Sequence, residues 1–224
     1  MKERYFLTGT DTEIGKTFTA CALLQAWQQQ ELSAVGYKPV AAGAEMVDGA
    51  PANEDALALL GASSKGFSLA EVNPVCLREA IAPHIAAKKE GVFLELPPIL
   101  AGFQKLARRA DRVLVEGVGG FRVPLGDYFD SADMAKALGL PVILVVGMRL
   151  GCINHALLTV EAIRSRGLTL AGWVGNTLQP EMPRLAENLE TLKASIPAPC
   201  LGILPHLPSG KPADAVQYLQ LPKI

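Results

Sequence analysis

Residues 5–24, YFLTGTDTEIGKTFTACALL, constrain the fold more than any other stretch of this chain. An apolar run, Tyr5 to Leu7, breaks into small and acidic residues, and apolar positions resume at Phe18, Cys21, Ala22 and Leu24, which can line one face of a helix opening near Gly15. A strand, a glycine loop and a helix that begins Gly15-Lys16-Thr17 form the context in which a phosphate-binding loop works. Free N–H groups at a helix start make an anion site, and Lys16 adds a point charge that reaches outer phosphates. The Thr17 hydroxyl can ligate magnesium. The spacing is a variant, since five residues separate Gly9 from Gly15 where the common pattern has about four. The loop also carries two acids, Asp11 and Glu13, which phosphate binding alone does not require.

The same alternation runs along the chain. Strand-like runs fall at Tyr5–Thr8, Ala34–Val40, Arg112–Glu116, Pro141–Gly147, Leu168–Asn176 and Cys200–Leu204. Helical patterns fall at Lys16–Gln30, Ala56–Leu60, Leu100–Arg109, Ser131–Leu138, Asn154–Arg166 and Pro183–Ser195. This order predicts an α/β fold, a mostly parallel sheet with helices on both faces, with ligands bound beyond the carboxyl ends of the strands. At 224 residues, 50% hydrophobic and 19% charged, residues 1–224 read as a single globular domain. A net charge of −1 without a basic stripe speaks against nucleic acid as a partner. Met1 to Arg4 do not open a signal peptide, and Leu140 to Met148 is too short to span a bilayer, so the expectation is a cytoplasmic protein that handles small molecules. Cys21, Cys76, Cys152 and Cys200 form no C-x-x-C pair and read as reduced packing thiols.

Several strand ends carry chemistry. Lys38 stands at the end of the second strand in GYKPVAAG, where a solvated lysine is the plain alternative. In RVLVEGVGG, Glu116 emerges at a strand tip before a glycine-rich turn; it can hold magnesium as the acid of a Walker B strand does, or cap the turn. Asp55, in NEDALALL, stands at a helix start, where an N-cap and a metal ligand are both open. Gly151, Cys152, Ile153 and Asn154 open a further helix and can offer N–H groups to a carboxylate, with Cys152 itself read as packing. Asn176 and Thr177 end another strand, and an Asn there can pair with a purine edge or satisfy a turn. The absence of Asn-Lys-x-Asp favours adenine over guanine.

Taken together, GTDTEIGKT, GYKPVAAG, NEDALAL, APH, VLVEGVGG, LGCINHALLT, AGWVGN and GILP follow one another as in the dethiobiotin synthetase family, which the chain resembles over nearly its whole length. The resemblance implies a P-loop NTPase-type fold and a homodimeric ligase of biotin biosynthesis, which uses ATP as co-substrate and magnesium to close diaminopelargonic acid with carbon dioxide into a cyclic urea. It also implies roles. Glu13, Ile14, Gly15, Lys16, Thr17 and Phe18 resemble the phosphate cradle, and Thr17, Asp55 and Glu116 the magnesium ligands. Gly117, Val118 and Gly119 adjoin the nucleotide, and Asn176, Thr177, Pro205, His206 and Leu207 resemble the adenine site. Lys38 resembles the catalytic lysine, assisted by Lys16. Thr12, Lys38, Ala42 and Gly151 to Asn154 resemble the substrate site, the last four reached from the partner subunit. Ala42, Val118 and Asn188 depart from the family pattern, which has a serine, an alanine and an aromatic residue there. A ParA-like ATPase switch and a pure nucleotide-binding module are the alternative readings.

Overall fold

The computed structural model describes residues 2–47 and 49–223. It opens with β1 (Glu3–Gly9), a loop and α1 (Lys16–Gln28). β2 (Ala34–Tyr37) leads into three short strands, β3 (Val40–Ala42), β4 (Glu45–Val47) and β5 (Ala50–Ala52), then α2 (Glu54–Ala62) and α3 (Leu69–Val72). β6 (Val75–Leu77), α4 (Pro83–Glu90), α5 (Leu96–Arg109) and β7 (Arg112–Glu116) follow. The second half alternates strictly: α6 (Ser131–Leu138), β8 (Val142–Met148), α7 (Cys152–Ser165), β9 (Leu170–Thr177), α8 (Leu185–Ser195), β10 (Cys200–Leu204) and α9 (Pro212–Ala215).

Six strands form one sheet in the order β10-β9-β8-β1-β7-β2, each neighbouring pair parallel. They are the six strand-like runs of the sequence, legible because a strand covered on both faces is apolar throughout. β8, VILVVGM, is buried along its whole length. Its side chains alternate between faces. Ile143 and Val145 join a core shared with Leu24 and Trp27 of α1, whereas Leu144, Val146 and Met148 join Cys152, Ala156 and Val160 of α7 and Leu192 of α8. Among the described residues, no helix is long and apolar enough to cross a membrane.

The boundaries differ where local chemistry intervenes. The run Ala34–Val40 splits at Lys38-Pro39, because Pro39 has no N–H for a sheet ladder, and the chain re-enters as β3 against β6. α5 starts at Leu96 instead of Leu100, with prolines in its first turn, where their missing N–H groups cost nothing. α2 extends beyond Ala56–Leu60 at both ends, α7 starts at Cys152 and not Asn154, and α8 starts at Leu185 and not Pro183. The split returns Lys38 to the interior: its N–H donates to Val72 O at 2.8 Å and its carbonyl accepts from Asn73 Nδ2 at 2.7 Å.

Candidate active site

The carboxyl ends of the central strands meet at one edge of the sheet. The loop after β1 turns through Glu13 at φ 56° and Gly15 at φ 81°. Two devices seat it. Ile14 is buried and points down toward β8; a Cβ on Gly147 would lie 2.5 Å from its Cγ2, so glycine is required there. Asn176 Nδ2, from the end of β9, donates to Ile14 O at 2.9 Å. Gly15 then caps α1 without a side chain, leaving the first N–H groups of the helix open toward the loop.

Beside the loop lies a cavity of about 810 Å³ lined by Thr12, Glu13, Gly15, Lys16, Thr17 and Phe18 on one side and Lys38, Ala42, Gly43, Asn53, Glu54 and Asp55 on another, with Ala80 to Pro83, Val118, Gly119 and Val123 closing it. Lys38 Nζ sits 2.8 Å from Asp55 Oδ2 and 2.6 Å from Glu116 Oε1, and Thr17 Oγ1 donates to the same Glu116 oxygen at 2.8 Å. The side chains of Lys38 and Glu116 are 4% and 0% exposed and that of Asp55 38%, so Asp55 is the solvent-facing member of the ion-paired trio. The plain alternatives are thereby overturned. Lys38 is not a solvated lysine, and Glu116 does not cap a turn.

Asp55 is not the N-cap of α2. Asn53 takes that position, its side chain accepting from Ala56 N at 3.3 Å, and so leaves the Asp55 carboxylate free to meet Lys38. Burial opposes charge on both Lys38 and Asp55, but attraction outweighs it: Glu116 and Asp55 hold the ammonium above the ordinary lysine range, and Lys38, with Thr17 and Lys16, holds the Asp55 carboxyl below the usual carboxylate range. Lys16 Nζ donates to Asp11 O at 2.7 Å, and burial pushes its pKa down to about 8 against the pull of Glu116. A buried cation whose neighbours do not make up for its lost hydration is a strong receptor for an anion.

The same cluster fits a hard divalent ion. Thr17, Asp55 and Glu116 offer a hydroxyl and two carboxylates, the oxygen donors magnesium takes alongside water and phosphate. Glu116 Oε2 is buried and has no hydrogen-bond partner among the described residues. An orphaned carboxylate oxygen in the interior is a free ligand position.

Of the residues expected to form the site, Thr12, Glu13, Gly15 to Phe18, Lys38, Ala42, Asp55, Val118 and Gly119 line this one cavity. Glu116 lies behind Lys38, Ile14 is the anchor beneath the loop, and Gly117 is buried at the strand exit. Asn176, Thr177 and Pro205 to Leu207 lie at the ends of β9 and β10, outside the cavity lining. Gly151 to Asn154 also lie outside it: Cys152 is buried, with Asn188 Oδ1 4.0 Å from its Sγ, and the neighbouring Leu150 is 98% exposed. Sequence reasoning missed Asn53, whose Nδ2 also donates to Ala42 O and Gly43 O at 3.2 and 3.1 Å, although Asn before Glu-Asp is a helix-start signal. It also missed Ala80 and Ile81 on the cavity wall and quoted Ala82 and Pro83, in APH, without giving them a place in the site. Asp11 finds its reason in space: it forms an ion pair with Arg149, beyond β8, and its Oδ1 accepts from Thr12 N at 2.8 Å.

Comparison with known proteins agrees with this geometry. A family model described as an AAA domain matches residues 3–213. The ATP-dependent dethiobiotin synthetase BioD of Aromatoleum aromaticum is 60% identical over 97% of this chain and 97% of its own length. That of Cellvibrio japonicus is 52% identical over 98% of this chain and 96% of its own. Among solved structures, the Pyrococcus furiosus cell division ATPase MinD superposes with a TM-score of 0.60 over 95% of this chain and 90% of its own at 15% identity. FtsY from Elizabethkingia anophelis superposes at 0.52 over 100% of this chain and 61% of its own, at 14% identity. Those distant likenesses show the P-loop NTPase-type fold; the near relatives show that the chain belongs to the ATP-dependent dethiobiotin synthetase family and, with it, to the ATP-dependent ligases.

Proposed function

We propose that this chain converts diaminopelargonic acid, carbon dioxide and ATP into dethiobiotin, ADP and phosphate in the cytoplasm. The carrying observation is that Lys38, paired with Asp55 and with a buried Glu116 that also accepts from Thr17, lines the same cavity as Lys16 and the phosphate-binding loop. One amine of the substrate adds to carbon dioxide, losing a proton to give a carbamate. The carbamate oxygen attacks the γ-phosphorus as the bond to ADP breaks, giving a carbamic-phosphoric anhydride. The second amine attacks the carbamoyl carbon, and phosphate leaves as the ring closes.

Lys16 and the N–H groups opening α1 receive the phosphates, and Lys38 offsets the negative charge brought together by carbamate and γ-phosphoryl. Magnesium held by Thr17, Asp55 and Glu116 would add positive charge on the phosphates when bound. Thr12 and Ala42 face the substrate from the cavity wall, and Asn176, Thr177 and Pro205 to Leu207 receive the adenine. Gly151 to Asn154 stand outside the cavity, which supports a homodimer in which a second copy supplies them for the substrate carboxylate.

The test is ADP and dethiobiotin formation measured with and without diaminopelargonic acid and bicarbonate. Product formation that needs both supports the reading. ADP release indifferent to both and stimulated by another protein would instead favour a ParA-like switch.

Two substitutions probe individual contacts. Glu116→Gln is expected to lower turnover roughly tenfold, because an amide is a poorer ligand, with partial recovery in excess magnesium. A loss that added metal does not touch would assign Glu116 to structure alone. Ala42→Ser places a hydroxyl on the cavity wall, where Asn53 fixes the Ala42 carbonyl. One neutral hydrogen bond contributes about 1 kcal/mol, so the KM for the diamine should fall about fivefold. An unchanged KM would show that the added hydroxyl does not reach the substrate.

A further inference from the structure

The proposed metal ligands are held by a cation the protein itself supplies. Lys38 Nζ lies within 2.8 Å of both Asp55 and Glu116, on the same carboxylates that would bind magnesium. Glu116 Oε1 already accepts from Lys38 and from Thr17, whereas its Oε2 is without a partner among the described residues. A divalent ion among these three groups would stand beside an ammonium in a site where both carboxylates are at least partly screened from water, and there two cations repel far more than in bulk water.

Lys38 has somewhere to go. Its backbone is pinned on both sides, by Val72 O and Asn73 Nδ2, and Pro39 follows, so the side chain alone can swing. The cavity opens next to it, toward Ala42, Gly43 and Ala82.

We infer that Lys38 is the resident counter-ion of the metal site, and that a divalent ion binding to Thr17, Asp55 and Glu116 displaces its ammonium into the cavity where substrate is received. This rests on the magnesium and substrate assignments proposed above and deepens them: loading the metal and delivering the lysine become one event. Without the metal the lysine stays between the carboxylates, so the charge that stabilises carbamate is withheld until the phosphates have theirs.

Manganese, a hard octahedral ion countable by its electron spin resonance when free, serves as the probe, with nucleotide-free protein. Removing the competing ammonium in Lys38→Met is expected to tighten manganese binding by about tenfold or more, since two carboxylates lose their neutralising partner. Equal or weaker binding by Lys38→Met overturns the exchange. A second measurement uses the unmodified protein, whether or not Lys38→Met folds. With lysines labelled with nitrogen-15, the shielded Lys38 ammonium gives a protected Nζ–H signal, and magnesium chloride should shift or abolish it. A signal unchanged at saturating magnesium overturns the exchange even if the metal binds. If no protein takes up manganese, even with a non-hydrolysable ATP analogue, the metal assignment fails along with it, a result distinct from binding without exchange.

Discussion

Lys38→Gln is expected to lower kcat for dethiobiotin formation by on the order of a hundredfold or more at saturating ATP, magnesium and bicarbonate, the scale on which one preorganised charge-stabilising group acts. Carbamate and γ-phosphoryl are both anionic, and their approach needs a fixed cation between them. Lys16 is committed to the loop, its Nζ on Asp11 O, and cannot serve both. Glutamine keeps length and a hydrogen-bond donor but no charge, so it separates charge from shape. A solvated lysine at a strand exit could be replaced with stability untouched. The geometry adds a cost: Lys38 is 3% exposed and balances a fully buried Glu116, and breaking such a pair costs on the order of 3 kcal/mol. Magnesium should restore much of that loss by taking over the neutralisation. Thermal melts with and without magnesium, beside product measured by mass spectrometry, separate the two effects. Near-normal dethiobiotin formation by Lys38→Gln would remove Lys38 from the mechanism.

What the sequence made legible follows from burial. Each strand of the main sheet was readable from its apolar run, and β8, buried along its whole length, needs no context to be recognised. The β3 and β6 pair, the exposed β4 and β5 ribbon and the single-turn α3 were not readable. They are three or four residues long and exist by virtue of their tertiary partners, not their own periodicity. The start of α5 was hidden because Pro97 and Pro98 read as breakers in a linear scan, whereas in a first helical turn they are admissible.

The site divides in the same way. Lys16, Thr17 and Glu116 were legible because strand, loop and helix order fixes where each must emerge. Asp55 was ambiguous for a local reason, and its N-cap reading falls away once Asn53 is seen to occupy the N-cap. Asp11 could not be explained along the chain at all, since its partner Arg149 is 138 residues away. Asn176 shows a further limit: read as a purine contact or a turn, it also holds the phosphate-binding loop by Ile14 O. Neither the strand that carries it nor its spacing discloses that bond.

Gly15→Ala is expected to destabilise the chain by about 2–5 kcal/mol and to abolish measurable nucleotide binding. Gly15 lies at φ 81°, where an L side chain meets its own backbone, a cost of about 1–2 kcal/mol. A Cβ there would also fall 2.1 Å from Asn176 Nδ2, the atom that secures the loop through Ile14 O. That contact forces either the loop or the amide aside, and overpacking of this kind costs about 1–3 kcal/mol. The two contributions can be separated. In Gly15→Ala with Asn176→Ala the close contact is gone and the backbone strain remains, so the double variant should be more stable than the sum of the single losses predicts. Denaturant unfolding gives that cycle directly, and calorimetry with an ATP analogue gives the loss of binding. A Gly15→Ala protein within about 0.5 kcal/mol of the unmodified chain, a change typical of ordinary surface sites, would mean that the loop adapts freely. Strict additivity of the double variant would mean that Asn176 does not set the position of Gly15, and the bond from β9 would then be incidental to the shape of the phosphate site.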